Sequence, residues 1–237
     1  MPTPHPDYVF APAPQPFLTI FGSEQLFPLR RVFCVGRNYA AHAREMGADP
    51  SREPPFFFCK PTDGVVPALR TGATVIAYPP QTNDLHHEVE MVVAIGKAGA
   101  AIEPTQALNH VWGYGLGLDL TRRDIQAGLK AKGHPWEMSK AFDQCAPVSA
   151  LTPVSTAGHP ARGVLRLEVN GIVRQEGDLA DMIWSVAETI AHLSRYVALA
   201  PGDLIFTGTP EGVGPIVRGD ELRGSLAGLA PLHVRIA

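Results

Sequence analysis

Short apolar runs separated by glycine and proline dominate the hydrophobic pattern of this chain. Runs of this length and spacing predict β-strands. The predicted strands cover residues 17–21, 31–36, 56–60, 75–78, 89–95, 111–120 and 204–207. An alternating segment at 165–169 leads through Asn170-Gly171 into 172–173, a pattern that predicts a β-hairpin.

Three segments have the spacing of helices. The longest covers residues 181–199, where apolar positions three or four apart are Ile183, Val186, Ile190, Leu193 and Val197. A short helix is predicted at residues 38–46, and Thr121 is predicted to cap another that runs to about residue 132. Many short strands with two or three helices predict the α+β class, with a mostly antiparallel or mixed sheet.

Composition narrows the class of protein. The 237 residues are 45% hydrophobic and 18% charged, which suits one large domain with an ordinary core. We expect the proline-rich residues 1–30 to form an N-terminal arm, and residues 31–237 to form the main domain. The net charge of −3 argues against a nucleic-acid partner.

Location is predicted from the cysteines and the apolar segments. Three cysteines without C-x-x-C spacing do not indicate a disulfide framework. The N-terminus lacks the pattern of a signal peptide, and charged residues interrupt the longest apolar helix. We therefore expect a cytoplasmic protein with no membrane partner.

Several common catalytic signatures are missing from the sequence. It contains no G-x-S-x-G elbow, no G-x-G-x-x-G fingerprint, no complete P-loop and no H-E-x-x-H. Serine hydrolase, dinucleotide and nucleoside-triphosphate chemistry are therefore disfavoured.

The segment D-L-H-H-E-V-E at residues 84–90 carries the main chemical signal. On a strand, Glu88 and Glu90 share one face with Cα atoms about 6.6 Å apart. Two poorly solvated carboxylates must share a proton or hold a cation, and oxygen ligands favour Mg²⁺ or Mn²⁺. Asp119, at the end of a predicted strand, is the candidate third ligand. A solvated edge strand, and a helix N-cap for Asp119, are the alternative interpretations.

Three further positions suit catalysis. His42 and Glu45 are neighbours at i and i+3 of the short helix, where a carboxylate could orient an imidazole that activates water. Lys140 follows an aromatic, proline-bounded loop and could neutralise an oxyanion, and Thr209 offers a hydroxyl after a buried strand. The alternatives are a surface pair, a solvated lysine and a simple turn.

Seven ordered motifs resemble the fumarylacetoacetate hydrolase family. They are V-G-R-N-Y-A-A-H-A-R-E-M-G (35–47), F-x-K-P (58–61), L-H-H-E-V-E (85–90), G-L-D-L-T-R-R-D-I-Q (117–126), K-G-H-P-W-E-M-S-K-A-F-D (132–143), V-N-G-x-x-R-Q (169–175) and T-G-T-P-E-G-V-G-P (207–215). The resemblance covers residues 31–237 and implies that these residues form the catalytic domain. The start, with Y-V-F-A-P-A-P and L-F-P-L-R-R-V, is similar to the acylpyruvase branch.

The resemblance implies a β-rich mixed-sheet roll of the family's C-terminal-domain type, a homodimer, and one divalent cation per subunit, Mg²⁺ or Mn²⁺. The implied metal ligands are Glu88, Glu90 and Asp119, and the implied catalytic residues are His42, Glu45 and Lys140. The implied substrate-binding residues are Arg37, Lys60, Arg123, Gln126 and Thr209.

The activity that the resemblance implies is hydrolysis of a C–C bond in a 2,4-diketo acid. The expected substrate is fumarylpyruvate, giving fumarate and pyruvate in the catabolism of aromatic compounds. Decarboxylation of oxaloacetate, and isomerisation or decarboxylation of a hydroxydienoate diacid, are alternatives on the same site. A non-catalytic metal- or ligand-binding protein is the alternative of another class.

Overall fold

The computed structural model describes residues 8–45 and 53–237, and of residues 43 and 45 only the backbone. The described strands are β1 Phe17–Thr19, β2 Leu26–Pro28, β3 Arg31–Gly36, β4 Phe56–Lys60, β5 Val65–Pro67, β6 Thr74–Ile76, β7 Leu85–His87, β8 Val89–Ile95, β9 Val111–Leu118, β10 Thr121–Arg122, β11 Ala146–Val148, β12 Thr152–Pro153, β13 Val164–Val169, β14 Ile172–Asp178, β15 Asp203–Phe206, β16 Gly214–Ile216, β17 Glu221–Ser225 and β18 Leu232–Ile236. The described α-helices are α1 Ala40–Glu45, α2 Pro104–Ala107, α3 Arg123–Ala131, α4 Glu137–Lys140, α5 Val154–Ala157 and α6 Val186–Tyr196.

Four sheets contain the strands of the described ranges. The largest has the order β4-β3-β15-β8-β9-β11-β5, with β12 also paired to β9. A second has the order β14-β13-β17-β18-β6, a third β10-β7-β16, and β1 pairs with β2. The pairs β3–β15, β5–β11 and β6–β18 are parallel and the other pairs are antiparallel. The α+β class with mixed sheets is therefore confirmed.

The hydrophobic core lies between the two large sheets. Strands β13 and β17 of the second sheet contact β8 and β9 of the first. Every residue of β8 and of β15 is buried, which explains why both strands are mostly apolar and do not alternate between apolar and polar residues. This packing fixes the position of the start of β8, which directly follows Glu88.

The N-terminal segment is part of this core. The predicted small strand pair is present as β1 and β2. Leu18, Phe27 and Leu29 are buried in the same hydrophobic cluster as the large sheet, and the Phe27 ring lies 5.1 Å from that of Trp112. Residues 17–29 therefore contribute to the packing of the main fold.

The long helix begins later than its apolar spacing predicts. Residues 181–199 were expected to be helical, but α6 begins at Val186 and ends at Tyr196. Ser185 and Glu188 form a capping box at its start. Before it, the backbone N–H groups of Ile183 and Trp184 donate to Asn38, which holds that segment outside the helix.

Thr121 does not cap a helix, so that prediction was wrong. Its hydroxyl donates to the carbonyl of Asp119, and the residue belongs to β10, whereas α3 begins at Arg123. The hairpin prediction is confirmed: β13 and β14 pair around Asn170 and Gly171, whose φ angles are +53° and +77°. Among the described residues, no helix has the length and apolarity needed to cross a membrane.

Candidate active site

Three buried carboxylates meet where β8 begins and β9 ends. Glu88 lies between β7 and β8, Glu90 lies in β8, and Asp119 directly follows β9. The register pairs Glu90 with Gly117, and the Asp119 N–H donates to the Glu88 carbonyl at 2.9 Å. One carboxylate oxygen of each residue lies within 4.8 Å of the others, and their exposed fractions are 5%, 2% and 1%.

These positions decide between the interpretations left open by the sequence. Strand β8 has neighbours on both sides, β15 and β9, so the solvated edge strand is wrong. Asp119 lies four residues before α3 and is buried, so the N-cap interpretation is also wrong. The three carboxylates lie close enough together to form a ligand set that could hold a metal ion.

The Lys140 ammonium lies between two of these carboxylates. Its ammonium donates to Glu88 Oε2 at 2.8 Å and to Asp119 Oδ2 at 2.6 Å, and its side chain is buried. Arg123 donates to the other oxygen of Glu88 and, at 2.6 Å, to Gln126 Oε1. The solvated-lysine interpretation is wrong. Because two of the carboxylates already contact a cation and all three offer only oxygen ligands, the residues fit Mg²⁺ or Mn²⁺.

Burial and neighbouring charges shift the pKa values of Glu88 and Glu90 in opposite directions. Burial alone would raise the pKa of Glu88, but Lys140 and Arg123 outweigh burial and hold that pKa well below its usual range. Burial and the nearby Asp119 and Glu88 carboxylates raise the pKa of Glu90 well above its usual range. A divalent cation shared by all three carboxylates would stabilise Glu90 in its ionised form.

Lys60 lies behind Asp119, outside the set of residues that line the pocket. Its ammonium is 2.7 Å from Asp119 Oδ1 and donates to the carbonyl of Lys140 at 2.6 Å. It also donates to the carbonyls of Leu120 and Cys145, both at 3.2 Å. Burial would lower the pKa of Lys60, but Asp119 raises it above its usual value. The contacts indicate a lysine that holds Asp119 in place.

Replacing Lys60 by methionine is therefore expected to destabilise the protein. Removing one partner of a buried ion pair leaves the other charge uncompensated, at a cost of roughly 3–5 kcal/mol. Chemical denaturation in the presence of EDTA measures the free energy of unfolding, with the exposed Lys97→Met as control. Unchanged stability combined with a raised KM would instead favour the substrate-binding role that the family resemblance implies for Lys60.

A pocket opens in front of the carboxylates. Six predicted site residues line it besides the three acids: Arg37, His42, Arg123, Gln126, Lys140 and Thr209. His42 is only 6% exposed, so the surface-pair interpretation is wrong for the histidine. The side chain of Glu45, its predicted partner, lies outside the described part of the chain. Gly208, next to Thr209, also lines the pocket, as do residues to which the sequence assigned no role, namely Val35, Gly36, Phe56, Phe58, Lys130 and Trp136.

The loop after β15 contributes backbone as well as a hydroxyl. The Gly208 N–H donates to Glu90 Oε2 at 2.6 Å. Gly208 has a φ of +94°, and a Cβ there would lie 2.6 Å from the Cβ of Asn38, so the position requires glycine. The Thr209 hydroxyl donates to the Val89 carbonyl at 2.8 Å. Thr209 is therefore fixed in the site and is more than a turn residue.

Gln175 fixes this loop against the acidic segment. Its amide nitrogen donates to the Thr209 hydroxyl at 2.8 Å and to the Pro210 carbonyl at 2.9 Å. Its amide oxygen accepts from the Val89 N–H at 3.0 Å and lies 2.9 Å from His87 Nδ1. Gln175 ends the V-N-G-x-x-R-Q motif, but no local pattern around it predicts this role.

Gln175→Leu is expected to lower the free energy of unfolding by roughly 2–4 kcal/mol, since each buried polar group left without a partner costs about 1–3 kcal/mol. Thermal and urea unfolding measure the change, with the exposed neighbour substitution Arg174→Leu as control. Equal stability of the two variants would contradict the structural role assigned to the Gln175 amide.

Comparison with known proteins agrees with this architecture. The model of the fumarylacetoacetate (FAA) hydrolase C-terminal domain matches residues 31–237. The chain belongs to the fumarylacetoacetate hydrolase family. Within that family, the crystal structure of fumarylpyruvate hydrolase from Pseudomonas aeruginosa in complex with Mn²⁺ and pyruvate is 55% identical. The alignment covers 98% of this chain and 99% of that chain, with a TM-score of 0.96.

Two relatives that are similar to this chain to almost the same degree are named for different reactions. Fumarylpyruvate hydrolase from Ralstonia sp is 43% identical over 79% of this chain and 95% of its own length. Oxaloacetate tautomerase YcgM from Escherichia coli is 42% identical over 83% of this chain and 88% of its own length. The predicted family and its mixed-sheet fold are thus confirmed.

Proposed function

We propose that this protein hydrolyses the C3–C4 bond of fumarylpyruvate, a 2,4-diketo acid, and releases fumarate and pyruvate. The observation that carries the proposal is the buried cluster of Glu88, Glu90 and Asp119, which faces the same pocket as His42. The 55% identical fumarylpyruvate hydrolase with Mn²⁺ and pyruvate supports it. Glu88, Glu90 and Asp119 would hold Mg²⁺ or Mn²⁺.

The cation, when bound, supplies Lewis-acid polarisation of the 2-keto acid end of the substrate. His42 acts as the general base that takes a proton from the attacking water. Glu45, three residues later on α1, is proposed to orient the imidazole and stabilise its charged form. The hydroxide adds to the C4 carbonyl, and the C3–C4 bond then breaks to give fumarate and the enolate of pyruvate.

The remaining polar residues bind the keto acid and stabilise charge. The Lys140 ammonium is held at the carboxylates and is placed to neutralise the developing enolate. Arg123 and Gln126, which are hydrogen-bonded to each other, and the Thr209 hydroxyl line the same space and orient the substrate. Protonation of the enolate carbon completes pyruvate.

Oxaloacetate tautomerisation is the second candidate function. The 42% identical Escherichia coli relative favours it, since that protein is an oxaloacetate tautomerase. Tautomerisation needs a base and charge stabilisation beside a 2-keto acid, which the same residues could provide, but it needs no attacking water. Decarboxylation of oxaloacetate and isomerisation of a hydroxydienoate diacid require the same groups.

Product analysis separates these reactions. Purified protein is assayed with fumarylpyruvate in Mn²⁺ or Mg²⁺ and in EDTA, with oxaloacetate in parallel. We expect metal-dependent loss of the diketo-acid absorbance with fumarate and pyruvate in equal amounts. Tautomer exchange of oxaloacetate without cleavage of fumarylpyruvate would support the second candidate, and release of CO₂ would support decarboxylation.

We also propose that the protein is a cytoplasmic homodimer acting in the catabolism of aromatic compounds, with residues 31–237 as the catalytic domain. Val164 and Val173, exposed apolar side chains on the outer face of the β13–β14 hairpin, support an interface on that face. Light scattering after size exclusion measures the mass, and a monomer at micromolar concentration would contradict the dimer.

A further inference from the structure

We propose that Arg37 and Lys130 form a second anionic-ligand subsite, which binds the distal carboxylate of the acyl half of the substrate. This inference rests on the proposed function, since it assigns the acyl group of that reaction to a four-carbon diacid. It adds Lys130 to the residues expected to determine substrate choice.

Helix α3 connects the carboxylate cluster with this subsite. Arg123, Gln126 and Lys130 all line the pocket and stand at i, i+3 and i+7, which places them along one face of the helix. Arg123 is bonded to Glu88, so it marks the end of the face nearest the acids. At 1.5 Å per residue, Lys130 lies about 10 Å further along the helix axis.

A chain of aromatic side chains in the pocket lining, the aromatic wall, connects Lys140 with Arg37. The Lys140 ammonium lies 5.1 Å from the Phe58 ring centre. The Trp136 ring is 6.2 Å from Phe58 and 5.5 Å from Phe56. The Arg37 guanidinium in turn lies 5.7 Å from the Phe56 ring centre. A planar, conjugated acyl chain would lie against this wall between the two charged ends.

Among the side chains that the structure describes, neither cation has a carboxylate partner. Arg37 contacts the face of Phe56, and Lys130 is half-buried in the pocket lining. Burial and the nearby Arg37 and Arg123 lower the pKa of Lys130, which shows that positive charges accumulate here. An anion between Arg37 and Lys130 would relieve this repulsion and form charge-assisted hydrogen bonds.

The substrate is long enough to extend from the carboxylate cluster toward this subsite. The terminal carboxyl carbons of a seven-carbon diacid are separated by six C–C bonds, which span about 7.5 Å when extended. With its 2-keto acid end at the carboxylate cluster, fumarylpyruvate therefore reaches toward Lys130. Oxaloacetate has three C–C bonds between its carboxyl carbons and spans about half this distance.

Binding of ligands that cannot be cleaved tests the subsite independently of turnover. The probes are 2-oxoheptanedioate, which keeps the 2-keto acid and the distal carboxylate but lacks the 4-keto group, and 2-oxoheptanoate, which ends in a methyl group. Titration calorimetry with the Mn²⁺-loaded protein gives both dissociation constants. We expect the diacid to bind about tenfold more tightly, a difference of about 1.4 kcal/mol.

Substitutions then assign the preference to the two cations. Lys130→Met is expected to remove most of the diacid preference and leave 2-oxoheptanoate binding unchanged. Arg37→Asn should act in the same direction, and asparagine suits the φ of +57° at that position. The control is Lys132→Met, an exposed lysine at the end of the same helix.

The outcomes separate this inference from the proposed function. Equal binding of the two probes to the unsubstituted protein, or equal loss of both in Lys130→Met, would overturn the subsite even if fumarylpyruvate is cleaved. A diacid preference that depends on Lys130, without cleavage of fumarylpyruvate, would support the subsite and overturn the hydrolase proposal.

Discussion

Glu88→Gln is expected to weaken Mn²⁺ binding by roughly a hundredfold or more, since loss of an outer-shell partner alone costs about 10–100-fold. The substitution keeps the shape of the side chain and removes one of three ligand charges. It also leaves Lys140 and Arg123 facing one carboxylate fewer, which disfavours any cation at this point. Turnover should fall with metal occupancy.

Electron paramagnetic resonance of free Mn²⁺ measures this affinity directly. The matched control is Glu168→Gln on β13, outside the set of residues that line the pocket. Urea unfolding in EDTA confirms that the substituted protein is folded. Undiminished Mn²⁺ affinity in folded Glu88→Gln would contradict the assignment of Glu88 as a ligand.

His42→Ala is expected to lower kcat for fumarylpyruvate by about 10²–10⁴-fold, the usual contribution of a positioned general base. His42 is buried against the pocket but lies outside the carboxylate cluster, so Mn²⁺ affinity should be unchanged. Glu45→Gln should lower kcat less, because glutamine can still orient the imidazole but cannot stabilise its charged form.

The pair of measurements, kcat and Mn²⁺ affinity, separates His42 from the ligands. Arg44→Ala on the same short helix is the control, since that side chain is exposed. Full turnover in His42→Ala would exclude the histidine as the base. Loss of Mn²⁺ binding in that variant would instead make it part of the metal site.

Strands that carry an uninterrupted apolar run were predictable, whereas short strands such as β10 and β12 carry no such run. The apolar runs at residues 56–60 and 89–95 have the bounds of β4 and β8. The start of the long helix was not predicted. Ile183 continues the apolar spacing of the helix, but its N–H donates to the carbonyl of Asn38, which is distant in sequence. The Ser185-x-x-Glu188 capping box was the readable signal for the true start.

The site divides in the same way. The pairing of Glu88 and Glu90 follows from the period of a strand, and Asp119 from a strand end. Lys130 and the wall of Phe56 and Trp136 carry no local signal, since they face the pocket only through the packing of α3, α4 and β4. The ion pair between Lys60 and Asp119 likewise could not be predicted, because only the folded chain brings these two residues together.

The most direct test of the central claim is the fate of water oxygen. Fumarylpyruvate is incubated with the Mn²⁺-loaded protein in H₂¹⁸O, a protein-free sample serves as the exchange control, and fumarate is analysed by mass spectrometry. Hydrolysis predicts fumarate that gains one oxygen from water in each turnover, with an equal amount of pyruvate. Recovery of uncleaved or isomerised diketo acid with no labelled fumarate would contradict the account.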